Sequence, residues 1–341
     1  MSKTIKIKYD DKLTFDNLLK AHVRTSKNKN NKKCVMKFNI DLETNILSIL
    51  NSLKKDTYRL ENYFVFKIYE PKERIISALP YKDRIVQNWY IEEFIKPYIV
   101  PRFINDSYAC IEGKGTHKAV YKTQKYMRLM KRQYNSYYII KCDIAKYFYS
   151  IDKDILFKIM KKYIKDEKLI KITKIFIYDS FGKGIPIGNY TSQSFANIYL
   201  NELDKYVKEK LKVKYYIRYM DDFIILEKDK VKAKLLLKEI SIFLNKELHL
   251  NLNNKSRIYP NKMGINFCGY RIFETHILLR NRSKKKIKNN IKIWKKLYIN
   301  NKINYKKMEL SFNSWLGHAR HANSFNLINK VYDSLKMIIT K

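Results

Sequence analysis

The chain has 341 residues, with 71 Lys or Arg against 32 Asp or Glu, and its formal net charge is +39. Hydrophobic residues make up 45% of the sequence and aromatic residues 14%, a composition that excludes a disordered chain and supports a substantial core. A compact body this basic repels itself unless a polyanion neutralises it. Because the cations are spread along the whole chain, nucleic acid is a better partner than a membrane surface.

Cysteine spacing and hydropathy further narrow the class of protein to which the chain can belong. No two of the four cysteines form a C-x-x-C pair, so the sequence predicts no zinc site. No run approaches the roughly 20 apolar residues that a membrane span requires, and the basic N-terminus lacks the apolar segment of a secretory signal. We therefore expect a cytoplasmic protein that makes no membrane contact.

The first part of the chain is predicted to form helices and then a hairpin. Helical, basic sequence extends to about residue 60. Two β-rich runs, 63–69 and 74–79, flank a turn at 70–73 and predict a hairpin with basic residues at its tip. An amphipathic helix is predicted over 82–100, broken near Pro97 because proline cannot donate a backbone hydrogen bond.

Further along the chain, two strand segments carry acidic residues at their ends. An apolar strand over 137–143 ends at Asp143, and a strand pair over 215–226 has Asp221 and Asp222 at its turn. Another strand pair is predicted over 265–272. Helices are predicted over 152–165, with Asp152 as N-cap, over 192–211, over 231–248 and from about 283 to the C-terminus.

The three strand-end acids predict a metal site. A carboxylate among residues that favour burial is costly unless a cation or donor compensates it, and adjacent carboxylates also repel each other. A pair of Mg²⁺ ions, which prefer oxygen ligands, would remove this cost. Two such ions about 4 Å apart can clamp the attacking and leaving oxygens of a phosphoryl transfer. An isolated Asp-Asp pair is usually a solvated turn, but Asp143 and the flanking strands favour the metal site here.

Five ordered motifs resemble those of reverse transcriptases. Tyr219-Met220-Asp221-Asp222 matches their Y-x-D-D box, and residues 143–148 resemble their first palm motif, D-I-x-x-F/Y-F. Residues 184–193 lie where the family has G-x-P-Q-G-x-x-x-S-P, and residues 267–270 resemble the F-L-G-Y primer-grip turn. The segment 107–119 resembles the one that precedes the palm.

This resemblance implies a fold and a reaction. We expect an α+β right-hand polymerase, with fingers and an antiparallel palm sheet interleaved over 1–275 and a helical, basic thumb over 276–341. Such an enzyme is an RNA-directed DNA polymerase, in which the primer 3′-OH attacks the α-phosphate of a dNTP and pyrophosphate leaves. The implied cofactor is a pair of Mg²⁺ ions, for which Mn²⁺ can substitute. The implied ligands are the carboxylates of Asp143, Asp221 and Asp222 and the carbonyl of Ile144.

The resemblance also implies contacts with the substrates. Phe148 corresponds to a steric gate, whose ring excludes a ribose 2′-OH and so selects dNTPs. The implied dNTP-binding residues are Lys67, Lys72, Arg74, Lys146, Tyr147, Phe148, Ile187, Gly188 and Lys255. The implied primer and template contacts are Ser192, Gln193, Tyr219, Met220, Phe267, Gly269 and Tyr270. A cluster of Lys and Arg over 280–296 is expected to hold the RNA–DNA hybrid through backbone charge.

Two residues indicate a subgroup. Most reverse transcriptases have Gln where this chain has Ile187, and Pro where it has Gln193; the pattern here resembles the enzymes of diversity-generating retroelements. Those enzymes copy a template RNA with frequent errors at adenines during mutagenic retrohoming, and they imply a small, basic, ring-forming accessory protein as partner. Because Ile187 lacks the polar amide of that Gln, we expect the enzyme to select the correct nucleotide less strictly.

Two alternatives stay open at this point. The first is another bacterial reverse transcriptase, of the retron, abortive-infection or group II intron type. The second is a non-catalytic RNA-binding protein built on a polymerase scaffold, against which the intact Asp143, Asp221 and Asp222 argue.

Overall fold

A computed structural model describes residues 4–69, 72–178 and 182–339 of the chain. Glu70 and Pro71 of the predicted hairpin turn lie outside these residues. The chain divides into two compact units. The first comprises Met1–Ile111, Asp143–Val213 and Lys238–Asn254, and the second comprises Glu112–Cys142, Lys214–Leu237 and Lys255–Lys341.

Helices and short strands alternate along the chain. The strands are β1 (Phe64–Ile68), β2 (Arg74–Ala78), β3 (Tyr138–Asp143), β4 (Tyr216–Tyr219), β5 (Asp222–Glu227), β6 (Arg257–Pro260), β7 (Ile265–Phe267), β8 (Tyr270–Ile272) and β9 (Ile277–Leu279). The helices are α1 (Tyr9–Lys12), α2 (Phe15–Ser26), α3 (Lys33–Ile40), α4 (Leu42–Lys54), α5 (Tyr81–Tyr90), α6 (Lys96–Tyr98), α7 (Thr116–Tyr134), α8 (Tyr147–Ser150), α9 (Lys153–Tyr163), α10 (Glu167–Tyr178), α11 (Tyr190–Lys205), α12 (Lys230–Leu248), α13 (Asn281–Ile299), α14 (Tyr305–Ala319) and α15 (Phe325–Ile339).

Helices dominate the first unit, to which one hairpin is attached. Thr14 starts α2 as its N-cap, because its side chain accepts a hydrogen bond from Asn17 N at 3.2 Å. The apolar face of α2, with Leu18 fully buried, packs on α5. β1 and β2 pair antiparallel, with Phe64 opposite Ala78, which confirms the predicted hairpin.

The predicted helix break near Pro97 is confirmed, since the helical run is irregular just before Pro97 and ends at Tyr98. α5 ends at Tyr90, the backbone widens into a π-helix over Ile91–Ile95, and Pro97 then lies inside the short helix α6. A proline leaves the carbonyl one turn earlier without its usual donor. The irregularity therefore begins before the proline rather than at it.

The second unit contains two antiparallel sheets and a helical bundle. The first sheet has the strand order β4-β5-β3-β6, and the second has the order β7-β8-β9. α7 is tied to the second sheet, because Gln124 Nε2 donates to the Phe273 carbonyl at 3.0 Å. α13, α14 and α15 pack around their own apolar core, which consists of Ile287, Trp294, Met308, Phe312, Val331, Leu335 and Ile338.

Most predicted elements are confirmed within the described residues, and five elements there were not predicted. β3 ends at Asp143 as predicted, the acidic strand pair forms β4 and β5, and the C-terminal region is helical. The elements that were not predicted are α7, α8, α10, β6 and β9. The sequence did not predict α7, because the polar residues Thr123 and Gln124 interrupt the row of apolar side chains on its buried face. Within the described part of the chain, no helix is long and apolar enough to cross a membrane.

Candidate active site

The acidic turn, Tyr219 to Asp222, joins β4 to β5. Tyr219 pairs with Asp222 across the ladder, so Met220 and Asp221 form a two-residue turn. Met220 has a φ of +56°, a left-handed backbone that costs energy for any residue other than glycine. Arg218 is fully buried, and its Nη1 donates to the Met220 carbonyl at 3.1 Å. This hydrogen bond helps to fix the strained backbone that carries both aspartates.

Lys141 supplies a cation to the acidic turn. It lies on β3, the neighbour of β5 in the sheet, and its ammonium pairs with Asp222 Oδ1. Both side chains are largely shielded, at 16% exposed for Lys141 and 31% for Asp222. The Oδ1 atom that faces the Lys141 ammonium is buried. A buried carboxylate oxygen that faces a cation is an environment that also suits a divalent metal ion.

The donor atoms of the acidic turn fit a hard metal ion. Carboxylate oxygens are preferred by Mg²⁺ and Mn²⁺ over softer metals. Among residues 4–69, 72–178 and 182–339, no three or more His, Cys, Asp and Glu side chains are gathered so that they could hold an ion. The charge that faces Asp222 in the structure is the Lys141 ammonium.

The 267–270 turn, which joins β7 to β8, packs on the acidic turn through one ring. Phe267 is fully buried, and its ring meets that of Tyr219 edge-on, with 6.5 Å between the centroids. The Lys141 ammonium lies 5.5 Å from the centroid of the same Phe267 ring. The Tyr219 hydroxyl is 3.2 Å from the hydroxyl of Thr116 on α7. Phe267 thus contacts both the strand end and the cation of the site.

The backbone is the open part of the 267–270 turn. Phe267 and Tyr270 are both fully buried, so their rings anchor the turn rather than face a bound strand. Cys268 and Gly269 between them are half-buried and have φ values of +47° and +88°. Burial raises the pKa of the Cys268 thiol to about 12, so this thiol stays protonated and is no nucleophile.

In the first unit, the segment that contains Ile187 lies between two backbones. Ile185 N donates to the Phe148 carbonyl at 2.8 Å, and Ser77 N on β2 donates to the Ile187 carbonyl at 2.8 Å. Gly188 has a φ of +129°, and a Cβ there would lie 2.7 Å from the Ser77 carbonyl oxygen. Glycine is therefore required at position 188, since β2 passes too close for a side chain.

Comparison with known protein families decides the class. A family model described as reverse transcriptase (RNA-dependent DNA polymerase) matches residues 54–272, which is more than half of the chain. The chain belongs to the reverse transcriptase family. The matched region contains the acidic turn, the 267–270 turn and the segment around Ile187.

Two bacterial proteins are similar to the chain at low identity. The chain is 24% identical over 252 residues to protein YkfC of Escherichia coli, covering 60% of this chain and 66% of YkfC. It is 26% identical over 186 residues to the group II intron-encoded protein LtrA of Lactococcus lactis, covering 51% of this chain and 30% of LtrA. The chain therefore spans less than two-thirds of either relative.

A solved structure supports the fold. Telomerase from Candida albicans, in complex with a TWJ fragment of telomeric RNA, is similar with a TM-score of 0.51 at 12% identity, over 70% of this chain and 52% of that chain. The protein has the α+β polymerase fold that the sequence predicts.

The residues that follow the first palm motif differ sharply in exposure. Tyr147 is 2% exposed and its hydroxyl donates to the Ala196 carbonyl at 2.5 Å, so this ring belongs to the core. Lys146 is exposed and has a φ of +45°, whereas Phe148 is half-buried. Ile144 is buried and pairs with Leu252 in a β-bridge. Of the aromatic pair, Phe148 is thus the ring with an open face.

The cations predicted to bind dNTP lie on the hairpin of β1 and β2. Lys67, Lys72 and Arg74 are all exposed. Lys67 pairs with Glu73 at 2.9 Å, and both of these side chains are more than half exposed. Such a surface pair is weak, so a triphosphate can displace Glu73 from Lys67.

The other predicted contact residues differ in burial. Ser192 is 2% exposed at the start of α11, whereas Gln193 beside it is exposed. Lys255 is exposed just before β6. Their contacts with dNTP, primer and template stay predictions.

Sequence reasoning missed Lys141 and Arg218. The signal for Lys141 is its position two residues before Asp143, which places both side chains on one side of β3. The sequence feature that could have indicated Arg218 is a single charged residue among apolar residues of a strand. Neither feature shows which residue the cation contacts.

Proposed function

We propose that the chain is an RNA-directed DNA polymerase that extends a primer on an RNA template with dNTPs. The observation that carries the proposal is the acidic turn, where a buried Asp222 oxygen faces a cation and Arg218 holds the backbone. Template RNA and the RNA–DNA hybrid are the proposed partners, and the net charge of +39 favours both.

We further propose that Asp143 joins Asp221 and Asp222 in binding two Mg²⁺ ions, with the Ile144 carbonyl as a further ligand and Mn²⁺ as a substitute. Residues two apart on a strand face the same side, so Asp143 follows Lys141 on the side that meets Asp222. Bound ions would supply charge stabilisation for the attacking and leaving oxygens.

The protein's own groups position the substrates in this proposal. Lys67, Lys72 and Arg74 neutralise the triphosphate, as mobile cations do in phosphoryl transfer. The Phe148 ring lies beneath the sugar. The backbone at Cys268 and Gly269 supports the primer, because it is the open part of the 267–270 turn.

Primer extension by the full chain tests the function. The purified protein receives a heteropolymeric RNA template, an annealed primer, Mg²⁺ and four dNTPs, and the products are sequenced. We expect DNA complementary to the template. Products that carry no template sequence would overturn templated synthesis. No product at all across a range of primers would overturn the proposal and favour the non-catalytic RNA-binding alternative.

Replacing Phe148 by Ala should relax sugar discrimination. Without the ring, a ribose 2′-OH meets open space, so the ratio of rNTP to dNTP incorporation should rise by about 100-fold, the size of a steric selection. The measurement is kcat/KM for one ribonucleotide and its deoxy counterpart. Tyr149→Ala, which removes the exposed neighbouring ring, is the matched control and should leave the ratio unchanged. An active Phe148→Ala variant with the original ratio would contradict the gate.

We also propose that this polymerase is error-prone at template adenines and serves a diversity-generating retroelement. The supporting observation is Ile187, half-buried and without a polar side-chain group, whose carbonyl is already used by Ser77 N. A small, basic, ring-forming accessory protein is the proposed partner, with RNA bridging two basic bodies. Retron, abortive-infection and group II intron-like enzymes are the competing types.

Ile187→Gln should lower misincorporation at adenines by several-fold. The amide would restore a hydrogen-bonding group that a wrong nucleotide leaves unsatisfied. Sequencing of cDNA made on an adenine-rich template gives the error rate at each base. Ile187→Val, which keeps the pocket apolar, serves as the control and should match the original protein. An identical error spectrum for Gln and Val would remove Ile187 from the explanation.

A further inference from the structure

The 267–270 turn is bonded to helix α14 by a single histidine. The Tyr270 hydroxyl lies 2.8 Å from His318 Nδ1 and donates to the His318 carbonyl, also at 2.8 Å. A hydroxyl has one proton, so when it donates to the carbonyl it accepts from Nδ1–H. The two rings are 4.3 Å apart, and Tyr270 is fully buried. Loss of this partner would leave a buried hydroxyl with an unmade hydrogen bond.

The His318 ring also lies directly against the backbone of the turn. A Cβ built on Gly269 would approach His318 Cε1 to 3.0 Å. Glycine therefore serves two needs at this position, its φ of +88° and the space for the imidazole. The ring thus contacts both residues at the β8 end of the turn.

Further aromatic residues pack around the contact between His318 and the 267–270 turn. His117 of α7 stacks on His321 with 3.5 Å between the ring centroids, and His117 lies 6.4 Å from the His318 ring. The Tyr121 hydroxyl lies 2.8 Å from His321 Nδ1. Burial lowers the pKa of both His117 and His318 below the ordinary histidine value, so both rings are neutral at pH 7.

The two ends of the turn therefore meet different structures. Phe267 contacts Tyr219 of the acidic turn, whereas Tyr270 contacts His318 of α14. We propose that His318 is a positioning residue, which fixes the 267–270 turn on α14 and thereby holds the primer end beside the acidic turn. The inference rests on the proposed polymerase function.

Two variants test this role without removing a metal ligand. Tyr270→Phe deletes the hydroxyl and both of its hydrogen bonds, whereas His318→Ala deletes the imidazole and keeps the backbone carbonyl that accepts from the hydroxyl. Both should speed primer–template dissociation and shorten products by about 10-fold, the effect of one buried hydrogen bond. For His318→Ala, kcat for a single nucleotide at saturating primer–template should stay within about 3-fold, since the acidic turn is untouched.

The controls separate positioning from general damage. His318→Asn keeps a polar nitrogen or oxygen near the Nδ1 position and should recover part of the affinity. Tyr332→Phe, an exposed tyrosine on α15, should behave as the original protein. A fall in kcat with unchanged primer dissociation in both variants would overturn the positioning role.

Amide hydrogen exchange distinguishes failure of this inference from failure of the polymerase proposal. The amides of residues 268–270 should exchange about 10-fold faster in Tyr270→Phe and His318→Ala, whether or not the protein extends primers. Unchanged exchange in both variants would show that His318 does not anchor the turn. Faster exchange in a chain that never binds a primer would keep the anchor and overturn its role in primer placement.

Discussion

Asp222→Asn should lower the rate of primer extension on RNA by about 10³-fold or more. The substitution keeps the shape of the side chain but removes the negative charge that faces the cation, and a metal contact of this kind contributes several kcal/mol to the transition state. The unfolding free energy should change far less than the extension rate, because Asp222 is 31% exposed and an amide fills the same volume. Single-nucleotide extension rates and a thermal melt measure the two effects.

The control for this loss is Asp333→Asn, which removes an exposed carboxylate of the same unit, on α15. It changes the net charge of the chain equally, so it accounts for any general effect of charge on RNA binding. The control should extend primers at the original rate. Extension by Asp222→Asn within about 10-fold of that rate would exclude a metal ligand at this position.

Gly184→Ala should strongly destabilise the first unit around Phe148. Gly184 has a φ of +72°, and an added Cβ would overlap the backbone of Phe148 and Tyr149, which cannot rotate away. The strained backbone alone costs about 1 kcal/mol, and a clash with fixed backbone adds a further 1–3 kcal/mol or so. Soluble yield, thermal midpoint and primer extension should all fall.

Two glycines provide controls for that prediction. Gly182 also has a positive φ, +69°, but nothing lies within 4 Å of an added Cβ, so Gly182→Ala should show the backbone cost alone. Gly317 lies in α14 with open space, so Gly317→Ala should be neutral or stabilising. A Gly184→Ala protein as stable as Gly182→Ala would show that the close packing on Phe148 is unimportant.

Local pattern was enough to predict the acidic strands. Short apolar runs with acids at their ends predicted β3, β4 and β5, because burial and turn formation are decided within a few residues. The pairing of Lys141 with Asp222 could not be predicted in the same way, since it depends on β3 lying beside β5. Strand order is a property of the assembled sheet, not of either strand.

Motif similarity predicted where the site residues lie along the chain better than the direction in which their side chains point. Tyr147 and Phe148 are adjacent in one motif, yet Tyr147 is buried with its hydroxyl bonded while Phe148 is half-buried. Likewise, Phe267 and Tyr270 match the primer grip, but both rings point into the protein. A one-residue change along a helix or turn reverses which side chain faces the solvent, and no composition signal resolves it.

The contact between His117 and His321 was also beyond sequence reasoning. These rings come from α7 and from the residues just after α14, which are far apart in the chain. His318 and His321 alone lacked a third histidine at metal-ligand spacing. In the structure His117 joins them as a stacking partner, not as part of a metal cluster within the described residues.

Counting bound Mn²⁺ tests most directly whether Asp143, Asp221 and Asp222 share their ions. Electron paramagnetic resonance would follow free Mn²⁺ as it is titrated into the protein with a primed RNA template, a 3′-deoxy primer end and one dNTP. We predict two bound ions for the original chain, and weakened binding of a shared ion in both Asp143→Asn and Asp222→Asn. Two tightly bound ions in Asp143→Asn, with binding lost only in Asp222→Asn, would contradict the shared site.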